Sequence, residues 1–474
     1  MSISVFGIIY IILSLFFCQK KKWFTYWFVF SNSLFYTSVF VIGSVDIKPY
    51  FVATLIMFFV FVRGKIFSSN SFKNRDVSSL ILFLVWIFIS FPFSFFLTNV
   101  NVIPSDTAMD DYSTLHPLNV SWSSLDLIFN PAFNVFSYFV IRAYIKTKQD
   151  IKDFTRGYII SFIPLFITVS ILFVLRNVIH QSVLTQAFFA FINPSYTRNV
   201  SGNKWGAIGD IARTFTYIGE ASFTAKYYLI ILSIFSGFLL YKRNSIGQRI
   251  VWFAGVLLIL VLITVLGSTT GYVGFIILFI VIWLLHFRYK GAMNTPGLKS
   301  NGRFIFFITL IAPLILIPVA LIFYNEILFF INYLLVNHVS KIEGEAGSGY
   351  GRIQNNLVAL DVFMKSPLFG VGYGHNRATT FLTFLLSNVG IVGFLLFNFF
   401  WFYLILMPLK KLKNMPDELK MHCMIYITMF IITYMVNFLF SSSVAIAFGW
   451  VWTNAAILGK LIDWRNFDDV VYDR

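Results

Sequence analysis

The sequence predicts an all-α, polytopic integral membrane protein of about 12–13 transmembrane helices. Composition and the placement of charge predict it. Of 474 residues, 58% are apolar and 20% aromatic, only 12% are charged, and the mean hydropathy is +0.79. A soluble chain carries about a quarter charged residues. Runs such as 157–175 and 250–267 hold no charge and are long enough to cross hydrocarbon. Backbone groups there must bond within their own segment, so the runs are expected as helices. The net charge of +16 is unevenly placed. Most of the 36 Lys and Arg residues fall in one alternating set of loops, at 20–22, 63–75, 142–156, 242–249, 288–303, 410–420 and 460–465. The positive-inside rule assigns that set to the cytoplasm. Membrane topology thus accounts for the basic balance, with no nucleic-acid partner.

In chain order the spans fall at 3–18, 23–43, 49–62, 77–97, 125–145, 157–175, 221–241, 250–267, 270–287, 304–324, 383–407, 421–440 and 444–462. The first is followed, not preceded, by Lys20, Lys21 and Lys22. A cleaved signal peptide carries its charge at the N-terminal end, so this one reads as a retained span with its short tail outside. The third is short, and the last contains Asn454 and Lys460. Cys18 and Cys423 lie in or beside apolar runs and suggest neither a disulfide framework nor a metal site. With no internal repeat and no shift in composition, residues 1–474 read as a single transmembrane domain. Arg142, at a cytoplasmic helix end, is expected to snorkel.

The external loops, 98–124, 176–220 and 325–382, are long, and long loops are commonly functional. The first is acidic and reads as a solvated connector; the other two hold nearly all the external basic residues. No Walker loop, Asp-x-Asp pair, HExxH or Cys-rich cluster occurs, and GVGYG at 370–374 does not follow the GxGxxG spacing. The sequence therefore points to chemistry without nucleotide, cofactor or metal, facing outward.

In the last loop, Ile353, Leu357, Leu360 and Met364 recur at helical spacing, while Arg352, Asn355 and Asn356 lie off that stripe and Pro367 ends it. Arg352 is expected at a helix N-terminus, where free N–H groups and the dipole favour an anion. Its planar fork matches phosphate oxygens. The plainer reading is a surface amphipathic helix with a solvated arginine. The following GVGYGHNR places His375, Asn376 and Arg377 in a glycine-rich turn that lets backbone approach a ligand closely. His375 reads either as a base or as an interfacial hydrogen-bonding residue. The second loop ends in RTFTYIGEASFTAK, with Arg213, Glu220 and Lys226 where the chain enters a span. Ionisable groups there mark a site or a buried pair such as Glu220–Lys226.

RTFTYIGEAS before a span, GSTTGYVGF opening another, then GYGRIQNNL, SPLFGVGYGHN and SNVGIVGF follow in order over roughly the last 260 residues. In this the chain resembles the O-antigen polymerase and ligase superfamily of membrane glycosyltransferases. The resemblance implies a GT-C-like helical bundle. It implies as substrate an oligosaccharide repeat unit carried on undecaprenyl diphosphate, with the lipid diphosphate as leaving group. It also implies a bacterial inner-membrane location with a periplasmic site, and a chain-length-regulating membrane protein as partner. Arg213 and Arg352 match the family's loop arginines, and Glu220 its following acidic position. Ligases place a His-Asn pair nine residues before a G-x-x-G. Here Gly390 and Gly393 supply the glycines, but Thr379 and Thr380 occupy the expected pair and His375-Asn376 lies four residues earlier. That departure counts against a typical ligase. The expectation is a metal-independent polysaccharide polymerase. His375 or Glu220 is its base, and Arg213, Arg352, Lys226, Asn376 and Arg377 are its substrate-binding residues. The rival readings are a ligase or O-oligosaccharyltransferase and, from a different class, a lipid-linked oligosaccharide flippase.

Overall fold

The computed structural model describes residues 2–42, 45–63, 75–97, 99–104, 115–121, 124, 126–177, 179, 182–192, 216–241, 245–266, 268–293, 348–440 and 448–467. The expected span at 304–324, Arg213, and most of the two long basic loops lie outside the described residues.

The described helices are α1 (Val5–Phe17), α2 (Lys21–Ser33), α3 (Pro49–Met57), α4 (Arg75–Ser94), α5 (Asp126–Tyr144), α6 (Lys148–Asn177), α7 (Ser182–Ile192), α8 (Ala221–Tyr241), α9 (Ile246–Leu266), α10 (Thr269–Met293), α11 (Ser348–Lys365), α12 (Phe381–Lys411), α13 (Asp417–Phe440) and α14 (Gly449–Ile462). Seven of them are long and apolar enough to cross a membrane, which makes this a polytopic, all-α membrane protein. Among the described residues, strands are confined to ladders of two or three residues, β1 to β3 (Ser2–Ile3, Phe40–Ile42, Val45–Ile47) and β4 and β5 (Asn101–Val102, His116–Pro117), all antiparallel.

Two expectations change here. The span expected at 23–43 is helical only to Ser33; the chain then turns and pairs as β2, with Ser2 opposite Val41. Apolar composition alone does not separate a helix from a short strand. In the loop expected at 176–220, residues 182–192 (SVLTQAFFAFI) form α7, whose apolar spacing sustains three helical turns.

The basic loops at 20–22, 142–156, 410–420 and 460–465 gather at one end of the bundle, cross-linked by polar contacts. Lys21 meets Asp150 at 2.6 Å and Lys152 meets Glu418 at 2.8 Å. Arg142 does not snorkel. Its guanidinium pairs with Asp76 on α4 and, at 2.5 Å, with Asp463 just beyond α14. Tyr138, one turn before Arg142, donates to the same Asp76. Three elements converge on a charge that has carboxylates to satisfy it, and the side chain stays inside.

α12 packs against α4 and α11 and is broken within its length. Gly390 has φ +65° and ψ −173°, outside the helical region, and the helix resumes beyond it. This break positions the candidate site.

Candidate functional site at a turn inserted into a broken helix

Breaking a helix frees backbone groups that must be satisfied inside a membrane protein. Residues 366–377 supply the partners. The Ile391 amide donates to the Pro367 carbonyl at 2.8 Å, and the Val371 amide donates to the Ser387 carbonyl at 2.9 Å. The Trp86 indole donates to the Val389 carbonyl at 2.9 Å. Such close approach needs residues without a side chain. A Cβ on Gly370 would lie 2.4 Å from the Asn388 carbonyl carbon, and one on Gly390 would lie 2.1 Å from the Leu368 carbonyl oxygen. Both glycines have positive φ. At Gly370, therefore, the close approach that the sequence suggested is to the chain's own backbone.

The turn reaches down between the helices. Phe369 stacks on Trp86 at 5.1 Å and on Phe93 at 3.9 Å between ring centroids. Trp86 lies about 12 Å along α4 from its Ser94 end, at 1.5 Å rise per residue.

Asn376 ties this turn in place. Its amide NH₂ donates to Ser387 Oγ at 3.1 Å, and its Oδ1 accepts from the Ile103 amide at 3.1 Å. The Asn388 side chain completes the latch, accepting from the Asn376 amide at 2.9 Å and donating to the Asn376 carbonyl at 2.8 Å. Asn376 and Asn388 are fully buried. The neighbouring Arg377 amide donates to the Ile103 carbonyl at 2.7 Å, which joins the turn to the chain just after β4. His375 is only 7% exposed, and its ring centroid lies 6.1 Å from that of Phe91. A Cβ on Gly372 would sit 3.0 Å from His375 Nδ1, so this glycine leaves room for the imidazole. Tyr373 packs edge-on against Phe384.

α11 leads into the turn. It begins at Ser348, so Arg352 stands one turn inside the helix rather than at its first residue; its side chain lies outside the described residues. Asn356, on the same helix, accepts from the amides of Thr379 and Thr380, both at 3.1 Å, and from the Thr383 hydroxyl at 2.8 Å. It thereby fixes the start of α12, where the Thr380 hydroxyl caps the first turn. Sequence reading set Asn356 aside as merely off the stripe and assigned no role to Ser387, Asn388 or Trp86. The Ser387-Asn388 pair, one residue ahead of G-x-x-G, was the available signal.

The other expected residues form a separate group on α8. The Glu220 carbonyl accepts from the amides of Phe223 and Thr224 and so starts α8, after a tight turn in which Thr216 and Gly219 exchange backbone bonds. Glu220 is half-buried. Lys226 is buried nearly two turns further on, its ammonium over the rings of Phe223 at 5.3 Å and Phe448 at 5.7 Å. A narrow cleft there is lined by Lys226, Thr433, Asn437 and Trp450. The Asn437 Oδ1 is buried with no hydrogen-bond partner among the described residues. α8 packs on α6, α9, α10 and α13, whereas the turn packs on α4, α5 and α12. His375, Asn376 and Arg377 thus stand in the turn, while Glu220 and Lys226 stand apart from them at the start of α8. Both groups lie at the end of the bundle away from the basic ion pairs.

Among the described residues, no group of three or more His, Cys, Asp or Glu side chains is placed to hold a metal ion. No protein-family model matches the chain, and no curated protein is significantly similar to it.

Proposed function

We propose that the protein is a polysaccharide polymerase of a bacterial inner membrane. It joins oligosaccharide repeat units carried on undecaprenyl diphosphate at the periplasmic face. One acceptor-sugar hydroxyl attacks the anomeric carbon of the donor unit, the bond from that carbon to the diphosphate oxygen breaks, and undecaprenyl diphosphate leaves with its electron pair. The hydroxyl proton passes to His375 or Glu220. Developing charge on the diphosphate calls for fixed cationic donors, the role assigned to Arg213 and Arg352. The lipid diphosphate is itself an activated leaving group, so no nucleotide is required.

The observation that carries this reading is the latched turn at 366–377. It holds a histidine and an arginine within the length of the spanning helices, at the end away from the basic loops, and it is entered from the helix bearing Arg352. A lipid-borne sugar has its reacting bond at that lipid–water boundary.

Deleting the gene and separating the surface polysaccharide on a gel tests it. A single-unit band is expected; loss of all attached units would mean a ligase, and an unchanged ladder would remove the reading. Within the enzyme, Arg352→Lys should lose most polymer, because lysine keeps the charge and not the fork, and Arg213→Ala should lose more. Normal ladders from either variant at normal expression would sink the diphosphate assignment.

A further inference from the structure

α11 turns its faces the opposite way from a helix of a water-soluble protein. Its apolar stripe is outside: Ile353 is 46% exposed, Leu357 53%, Leu360 41% and Met364 74%. Its inner face carries Asn355, Ala359 and Val362, followed by Ser366 just past its end, all buried on the side of β4 and α12. Beside the stripe, about a quarter-turn round at 100° per residue, runs a polar rim in which Lys365 and Asp361 pair at 2.6 Å. Water on all sides would leave the stripe as a contiguous apolar patch with nothing to stabilise it.

The stripe does not end with the helix. Leu368, 56% exposed, continues it, and the next residue, Phe369, stacks on Phe93 of α4. Phe93 is itself 42% exposed and belongs to the outward apolar face of α4 with Val85, Phe88 and Ile89. α4 is one of the helices long and apolar enough to cross the membrane, so that face meets lipid. One unbroken apolar surface therefore runs from a bilayer-facing helix onto α11.

From this continuity we infer that acyl chains of the bilayer leaflet at this end of the bundle cover the stripe of α11. The helix lies in the membrane interface with Ile353, Leu357, Leu360 and Met364 in lipid and Asp361 and Lys365 at headgroup level. An amphipathic helix binds an interface in this geometry, apolar face down and charged face up. The inference is independent of any reaction the protein performs. It makes α11 a float that sets the height of the turn it leads into.

Collision-accessibility measurements test it on full-length protein in phospholipid vesicles. Nitroxides are attached singly at Leu357→Cys, Met364→Cys and Asp361→Cys in a Cys18→Ser background; Cys423 is buried. Relaxation by oxygen should exceed relaxation by a water-soluble nickel chelate at 357 and 364, and the order should reverse at 361. If 357 and 364 admit the nickel chelate as readily as 361, the helix stands in water and the inference fails. It fails equally if both positions are shielded from both reagents, since protein would then cover the stripe. The replaced side chains point outward, so folding should be retained, and elution of each variant as one symmetric peak verifies this.

Discussion

Of the two side chains assigned to take the acceptor proton, His375 is enclosed by Phe91 and its own glycine turn, while Glu220 is half-buried at the mouth of α8. Rate measurements separate their roles. A general base contributes about a hundredfold to ten-thousandfold, whereas a lost spectator hydrogen bond costs about 0.5–1.5 kcal/mol. On accessibility, Glu220→Gln should show the base-sized loss in chain extension. His375→Ala should keep more than about a tenth of the rate, as a residue that positions the turn would. The reverse ranking would return the base to His375. At this scale the sequence hid the partners of its charged and polar side chains. Arg142 read as a snorkelling side chain because its carboxylates are 66 and 321 residues away in the chain. Local spacing carries no trace of such pairs. The Asn376 latch to Ile103 spans 273 residues and was hidden for the same reason.

At the level of elements, α11, the turn and α12 form one unit, because the turn's backbone bonds to both sides of the break in α12. Gly370→Val should therefore act on both pieces together. Its side chain would strike the Asn388 carbonyl at a backbone angle of φ +69°, where β-branched residues are strained. A loss of about 1–3 kcal/mol is expected from overpacking, read as a lowered Tm of the detergent-purified protein. An unchanged Tm would show that turn and helix are not interlocked. Helix positions were legible in the sequence because hydropathy and the 3.6-residue period are local; the ends of α4, α5 and α8 fall within a few residues of expectation. The direction in which α11 faces was not legible. A stripe announces itself whether it meets core or lipid, and only the buried Asn355, Ala359 and Val362 tell which.

For the molecule as a whole, the Asp76–Arg142–Asp463 junction joins α4, α5 and the end of α14 at the basic end. Arg142→Met should destabilise the fold by about 3–5 kcal/mol, because a partner is removed from buried charge. Arg142→Met with Asp76→Asn should cost less than the two single changes summed, since neither charge is then left alone. Thermal unfolding of the three variants gives the comparison, and strict additivity would show that the pair does not act as a unit. The placement of charge by loop foretold that these residues share one end; it gave no hint that they tie the helices together. Rods bound at one end swing about that end. Any parting of α4, α5 and α14 must pivot on the junction, and the gap it opens is widest where the latched turn sits. The molecule is in this respect a pair of tweezers, with its rivet among the charges and its tips at the latched turn.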